Sequence, residues 1–175
     1  MGFILQHEGK FDLAVQSYKK ALSLSPDFVE AYNHLALALN AQGLYNEAID
    51  ACTRALQLMP NYPEVHNTMG MAFKSLNRFD EAVECYRHAV NFDPNFIEAH
   101  YNLGNCLQKL GRCDEAIESY DRAIQLKPDF AAAHWNRFFA FLLTGRLTQG
   151  WEGYDWRRKP ECCLLYTSPS PRDRS

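Results

Sequence analysis

Apolar residues recur along this chain in short bursts whose spacing fits one face of a helix. Tyr32, Leu35, Ala36 and Leu39 fall at i, i+3, i+4 and i+7, the pattern of an amphipathic helix. Ala48, Ile49, Cys52, Ala55 and Leu56 repeat that rhythm a few residues later, and Gly43 lies between the two runs as a turn residue. Pro60 closes the second run, because proline lacks an N–H and disfavours a helical residue before it. The unit predicted by these positions is a pair of helices joined by a tight turn.

That unit repeats. Pro26, Pro60, Pro94 and Pro128 are each 34 residues apart, and so are Ala14, Ala48, Ala82 and Ala116. Ala21, Ala55, Ala89 and Ala123 form a third such column, and Gly9, Gly43, Gly111 and Gly145 a fourth, in which Asn77 stands once for glycine. Asparagine is the substitute expected where a turn needs positive φ. Alanine columns are expected where helix axes approach closely and leave room only for a methyl group. Asp27, Asn61, Asn95 and Asp129 follow the prolines, with Glu30, Glu64 and Glu98 three residues later in three copies; these are the residues of a side-chain cap and capping box.

Period, columns and helical spacing together resemble the tetratricopeptide repeat (TPR). The resemblance implies an all-α fold, a right-handed α-solenoid of helix-turn-helix repeats. It divides the chain into a TPR array over 1–158, made of a truncated repeat at 1–28, full repeats at 29–62, 63–96 and 97–130, and a degenerate terminal repeat at 131–158. One helix pair cannot bury its own apolar face, so the stack is the folding unit. Met1 and Gly2 align with the middle of a first helix, which reads as an internal methionine or a short frayed helix. Residues 159–175 are expected to form a disordered, non-native tail: they lose the period, and Cys163 through Asp173 are similar to the in-frame translation of a transposase adapter used in sequencing libraries, with a natural Ser/Pro linker as the alternative.

Composition narrows the function by exclusion. With 18 Lys+Arg against 21 Asp+Glu and a formal charge of −3, no basic face for nucleic acid is expected. The longest apolar run, "FFAFLL", is far short of a membrane span. Cys52, Cys85, Cys106 and Cys113 form no CxxC pair, and Cys52 and Cys106 fall in packing columns, which suits reduced thiols used as small hydrophobes in a cytoplasmic protein. His66, His100 and His134 align at the repeat period, headed by Tyr32. Helices 8–10 Å apart do not readily bring such a column to one metal, so the histidines read as partly buried rings and no metal is expected. No GxSxG, HExxH or phosphate loop is present. The expectation is a chain without catalytic residues or cofactors.

The resemblance implies that the first helices line the concave side of the stack, and what remains is that face. Glu30, Asn33, His34, Leu37 and Asn40 lie between the packing stripes of one copy, and Glu64, Asn67, Thr68, Met71 and Lys74 in the next. Tyr101, Asn102, Asn105, Gln108 and Lys109 follow, then Trp135, Asn136, Phe139 and Leu142. Carboxamides both donate and accept, so a row of them can hold an extended peptide by its backbone. The candidate peptide-binding groove is therefore Asn33, Asn67, Met71, Tyr101, Asn102, Asn105, Lys109, Trp135, Asn136 and Phe139. Asn102 and Asn136 resemble the asparagine ladder of O-linked N-acetylglucosamine transferases. Earlier in the ladder column stand His34 and Thr68, with Asn33 and Asn67 one residue before, about 100° around the helix. A solvated polar face without a fixed ligand is the alternative.

The terminal repeat changes chemistry. "GWEGYDWRR" stands where earlier copies read "AIDACTRA" or "AIESYDRA", and Phe138, Phe139, Leu142 and Leu143 add apolar surface to the helix before it. An array ending in solvent should become more polar, so a partner is expected to cover this end. The residues Gly145, Gly150, Trp151, Tyr154, Trp156 and Arg157 resemble the last repeat of bacterial TPR proteins that continue into a glycosyltransferase domain. The resemblance implies a recruiting arm, with a downstream catalytic domain packing on Trp151, Tyr154 and Trp156. The alternatives are a C-terminal helix that folds back on the last repeat, and a structural module that self-associates through its ends.

Overall fold

The computed structural model describes residues 9–146, with Gly2 and Thr148 besides. Eight helices follow one another there: α1 (Phe11–Leu24), α2 (Val29–Ala41), α3 (Tyr45–Leu58), α4 (Pro63–Ser75), α5 (Phe79–Phe92), α6 (Ile97–Lys109), α7 (Cys113–Leu126) and α8 (Ala131–Leu143). Each packs on the helices before and after it, and α2, α4, α6 and α8 also touch one another in sequence. The result is an all-α solenoid of stacked helix pairs whose first helices make the closer, inner row.

The turn inside each pair is set by one left-handed residue. Gly43, Gly111 and Gly145 have φ of 78°, 76° and 73°, and Asn77 takes the same place at 58°. With that residue left-handed, the N–H of Leu44 reaches the carbonyl of Leu39 and that of Gly43 reaches Asn40, the paired bonds of a Schellman motif. Arg78, Arg112 and Arg146 repeat the first of these bonds. Leu44 is also the cap of α3, so the motif that ends one helix starts the next with no spacer.

Between pairs the expected capping boxes do not form. The N-cap residues of α2, α4, α6 and α8 are Phe28, Tyr62, Phe96 and Phe130, and none makes a side-chain cap bond. The helices begin one residue later than Asp27, Asn61, Asn95 and Asp129 would place them. Ser25, Asp93 and Lys127 open tight turns closed by the N–H groups of Phe28, Phe96 and Phe130, with proline second, where its fixed φ suits the turn. Pro63 begins α4 instead, at a position where no N–H is needed.

The alanine columns are where the helices meet. Ala14, Ala48, Ala82, Ala116, Ala55, Ala89 and Ala123 are all fully buried. Between them the core is filled by Leu39, Val65, Val83, Leu107 and the rings of Tyr86 and Tyr120. Cys52, Cys85 and Cys106 lie in it as free thiols, and burial pushes Cys52 and Cys85 up to about 12 and Cys106 to about 11. Such thiols stay protonated at neutral pH and pack as apolar groups. No described helix is long and apolar enough to cross a membrane.

Candidate functional site

The inner row is laced by a hydrogen bond that recurs at each joint. Thr68 Oγ1 donates to Asn33 Oδ1 at 2.9 Å, Asn102 Nδ2 to Asn67 Oδ1 at 3.4 Å, and Asn136 Nδ2 to the Tyr101 hydroxyl at 3.2 Å. Each bond joins residues 35 apart, one repeat and one residue. The two columns that differ by about 100° around a single helix therefore meet across neighbouring helices.

A second set of bonds closes on the same residues. Asn40 Nδ2 donates to the Thr68 carbonyl, and Lys74 Nζ to Asn102 Oδ1, both at 3.1 Å. Because an ammonium only donates, Lys74 fixes which end of Asn102 is oxygen, and Asn102 in turn fixes Asn67. Asn136 Nδ2 also donates to Asn105 Oδ1 at 2.7 Å, and the buried Tyr120 hydroxyl lies 2.9 Å from both Asn105 Oδ1 and Gln108 Oε1.

This lacing sorts the ten groove candidates. Asn33 is 7% exposed and its oxygen is taken by Thr68, itself 2% exposed; both belong to the joint between α2 and α4 rather than to an open wall. Asn67, Met71, Tyr101, Asn102, Asn105, Trp135 and Asn136 are partly buried along the inner row, while Lys109 and Phe139 are exposed. Asn67 has only the Met71 sulfur at 3.9 Å as a further partner for its amide nitrogen. No described hydrogen bond uses the amide nitrogen of Asn105, the ammonium of Lys109 or the Asn136 oxygen, so the wall keeps both donors and an acceptor. Towards its C-terminal end it becomes aromatic: Trp135 and Phe139 meet edge to face at 5.1 Å, and Phe139 and Leu143 are 41% and 65% exposed. Trp151, Tyr154 and Trp156 lie outside the described residues.

The histidine column has a role that its period alone does not disclose. The Nε2 atoms of His66, His100 and His134 stand 2.9, 3.0 and 2.9 Å from the carbonyls of Pro60, Pro94 and Pro128, each six residues earlier. A carbonyl can only accept, so Nε2 carries the proton. Each ring latches the first helix to the turn that precedes it. The recurring six-residue proline–histidine interval was the available signal. Among the described residues no group of three or more His, Cys, Asp or Glu could hold a metal.

Burial lowers the pKa of His66 and His100 below the ordinary 6.5, and for His66 the neighbouring His88 lowers it further. The unfolded chain therefore binds more protons than the folded one once pH drops below about 6.5, and stability falls with pH there. Glu81 and Glu115, whose pKa values are lowered by their arginine partners, lose stability only at lower pH, below their ordinary range. The thermal unfolding midpoint is expected to drop between pH 7 and pH 5, and the drop should shrink in the double variant His66→Tyr, His100→Tyr, which carries the residue type of Tyr32 in that column. Equal pH profiles for the two proteins would overturn the assignment.

The chain matches the family description "TPR repeat" over residues 4–43 and 70–111 and "Tetratricopeptide repeat" over 29–62 and 97–130. No curated protein matches it. Among solved structures it is similar to MamA, with a TM-score of 0.84 and 26% identity over 95% of this chain and 98% of that one. MamA 41-end from Desulfovibrio magneticus RS-1 superposes with a TM-score of 0.82 at 18% identity, over 95% of this chain and 93% of that one. YrrB, described as a TPR protein with an unusual peptide-binding site, gives 0.75 at 22% identity, over 94% and 87%. The 34-residue period, the left-handed turn column, the stacked helix pairs and these matches lead to one assignment: the chain belongs to the tetratricopeptide-repeat family.

Proposed function

We propose that this chain is a scaffold whose inner wall holds an extended peptide or protein segment along α4, α6 and α8. The observation that carries this reading is the polarity left over after the lacing: the Asn105 amide nitrogen, the Lys109 ammonium and the Asn136 oxygen have no partner among the described residues, beside exposed Phe139. A peptide backbone offers alternating acceptors and donors to such a wall, and the aromatic end supplies an apolar anchor. Asn67, Met71, Tyr101, Asn102 and Trp135, partly buried along the same row, would complete the wall. The peptide-binding site described for YrrB supports a peptide as the class of partner.

Capture on a peptide array tests this. Lys109→Ala and Phe139→Ala remove exposed side chains, so each is expected to weaken capture several-fold, about 1 kcal/mol, with an unchanged unfolding temperature. Asn136→Ala removes a joint bond as well and is expected to lower both. Capture unaffected by the first two, or no capture at all, overturns the reading. In a longer parent this array would be the recruiting arm of a glycosyltransferase, with the catalytic domain against Trp151, Tyr154 and Trp156. The exposed apolar surface at Phe139 and Leu143 supports a covered C-terminal end, and a reading frame that stops after Arg158 or continues as plain repeats would remove that proposal.

A further inference from the structure

Successive joints between the second helices carry the same sequence positions, so one joint serves as a template for the next. Arg87 Nη2 stands 2.9 Å from Glu115 Oε2 across the joint of α5 and α7. Lys19 Nζ lies 3.7 Å from Glu47 Oε2 across the joint of α1 and α3. The joint between α3 and α5 breaks the pattern: Thr53 holds the cation's position and Glu81 the carboxylate's. The Thr53 hydroxyl turns back to its own helix at the Ile49 carbonyl. Glu115 binds two guanidiniums, those of Arg112 and Arg87, while Glu81 binds Arg78 alone among the described residues.

A cleft of about 490 Å³ opens at this same joint. Leu56, Met69 and Phe73 give it an apolar lining, and Asp80, Glu81 and Glu84 give it carboxylates, of which Glu84 is paired with Arg87 at 3.0 Å. Arg112 also reaches the cleft, but its charge is held by Glu115 at 2.7 Å. His66 and His88, stacked with centroids 5.1 Å apart, present ring surfaces to it, and burial keeps His66 neutral at physiological pH.

We propose that this cleft takes an arginine side chain from a partner protein, its guanidinium on Glu81 in the place that Arg87 occupies at the next joint. The chemistry selects arginine over lysine. A planar guanidinium can pair with a carboxylate already holding one guanidinium, as Glu115 does, and can lie on an imidazole face. The methylene stem needs apolar surface, which Leu56, Met69 and Phe73 supply. The site lies between α3, α4 and α5, on none of the groove residues of the inner row, and stands independently of the peptide reading.

The full chain, labelled with ¹⁵N, is titrated with blocked acetyl-Leu-Arg-Leu-amide and with the same peptide carrying citrulline, which keeps the shape and loses the charge. The arginine peptide is expected to shift the amides around Leu56, Met69, Phe73 and Glu81, with the citrulline peptide at least about tenfold weaker. Thr53→Arg supplies the guanidinium from within the chain and is expected to remove the shifts, as is Glu81→Gln. Both positions are exposed, so Thr53→Arg should unfold at or above the parent temperature, and Glu81→Gln, which gives up the exposed pair with Arg78, only slightly below it. Equal midpoints for the two peptides would mean a site for apolar side chains only. That result, shifts on the inner row instead, unchanged binding by Thr53→Arg, or no shifts would each overturn the proposal.

Discussion

Gly104→Ala is expected to lower the unfolding free energy by about 2 kcal/mol, although alanine in a helix interior normally stabilises by about 1 kcal/mol over glycine. The reason is the facing ring. A Cβ on Gly104 would stand 2.5 Å from Cε1 of Tyr120, whose side chain is fully buried, and a ring enclosed on all sides cannot yield without strain. Gly70 faces Tyr86 in the same way, at 2.8 Å. The copy between α2 and α3 shows the other solution: Ala36 occupies the glycine's column, and Cys52 the tyrosine's. Tyr120→Cys alone should cost about 3–4 kcal/mol through the cavity it leaves. The double variant Gly104→Ala, Tyr120→Cys reproduces the Ala36–Cys52 pair and should cost at least about 1 kcal/mol less than the sum of the two. Urea unfolding of the four proteins measures the coupling, and strict additivity would show that the close approach is not what keeps Gly104 small.

This pairing explains how far the chain could be read before its structure was known. Left-handed turns at Gly43, Asn77, Gly111 and Gly145, helix ends at the prolines and buried alanine columns follow from local rules that act within a few residues, so they stood open in the periodicity. The helix starts do not follow from the same local rules. Asp27, Asn61, Asn95 and Asp129 are good caps in isolation, but the proline-containing turns place Phe28, Phe96 and Phe130 at the boundary, and Pro63 at the first helical position places Tyr62 there. The groove was harder to read. Asn33 and Thr68 have the composition of a binding wall, and only the offset of one repeat plus one residue reveals that they bond each other. A period shows which residues are equivalent; it does not show which columns meet across a joint. The paired size change in the Gly–Tyr and Ala–Cys copies was visible in principle, because it is a covariation within one chain.

Equivalent residues can still differ in sign, and the two buried tyrosines test this. Tyr120→Phe is expected to cost about 2 kcal/mol, because its single hydroxyl proton serves one of the two amide oxygens 2.9 Å away, on Asn105 and Gln108, and its loss leaves one partly buried acceptor without that donor. At Tyr86 the corresponding columns hold Met71 and Lys74. Lys74 is turned to Asn102, and the Tyr86 hydroxyl is buried with no hydrogen-bond partner among the described residues. Burial pushes the pKa of both phenols up, so each enters the core as a neutral group whose hydrogen bond, made or missing, decides its contribution. Tyr86→Phe removes an unsatisfied hydroxyl while keeping the ring that packs over Gly70, and should stabilise by about 1 kcal/mol. Met71→Asn restores the acceptor present at Asn105 and should make Tyr86→Phe costly in its background. Urea unfolding of the two single variants gives opposite signs if the hydroxyls are used as described. A loss of equal size at both positions would mean that Tyr86 reaches a partner after all, and that the two repeats carry their rings in the same way.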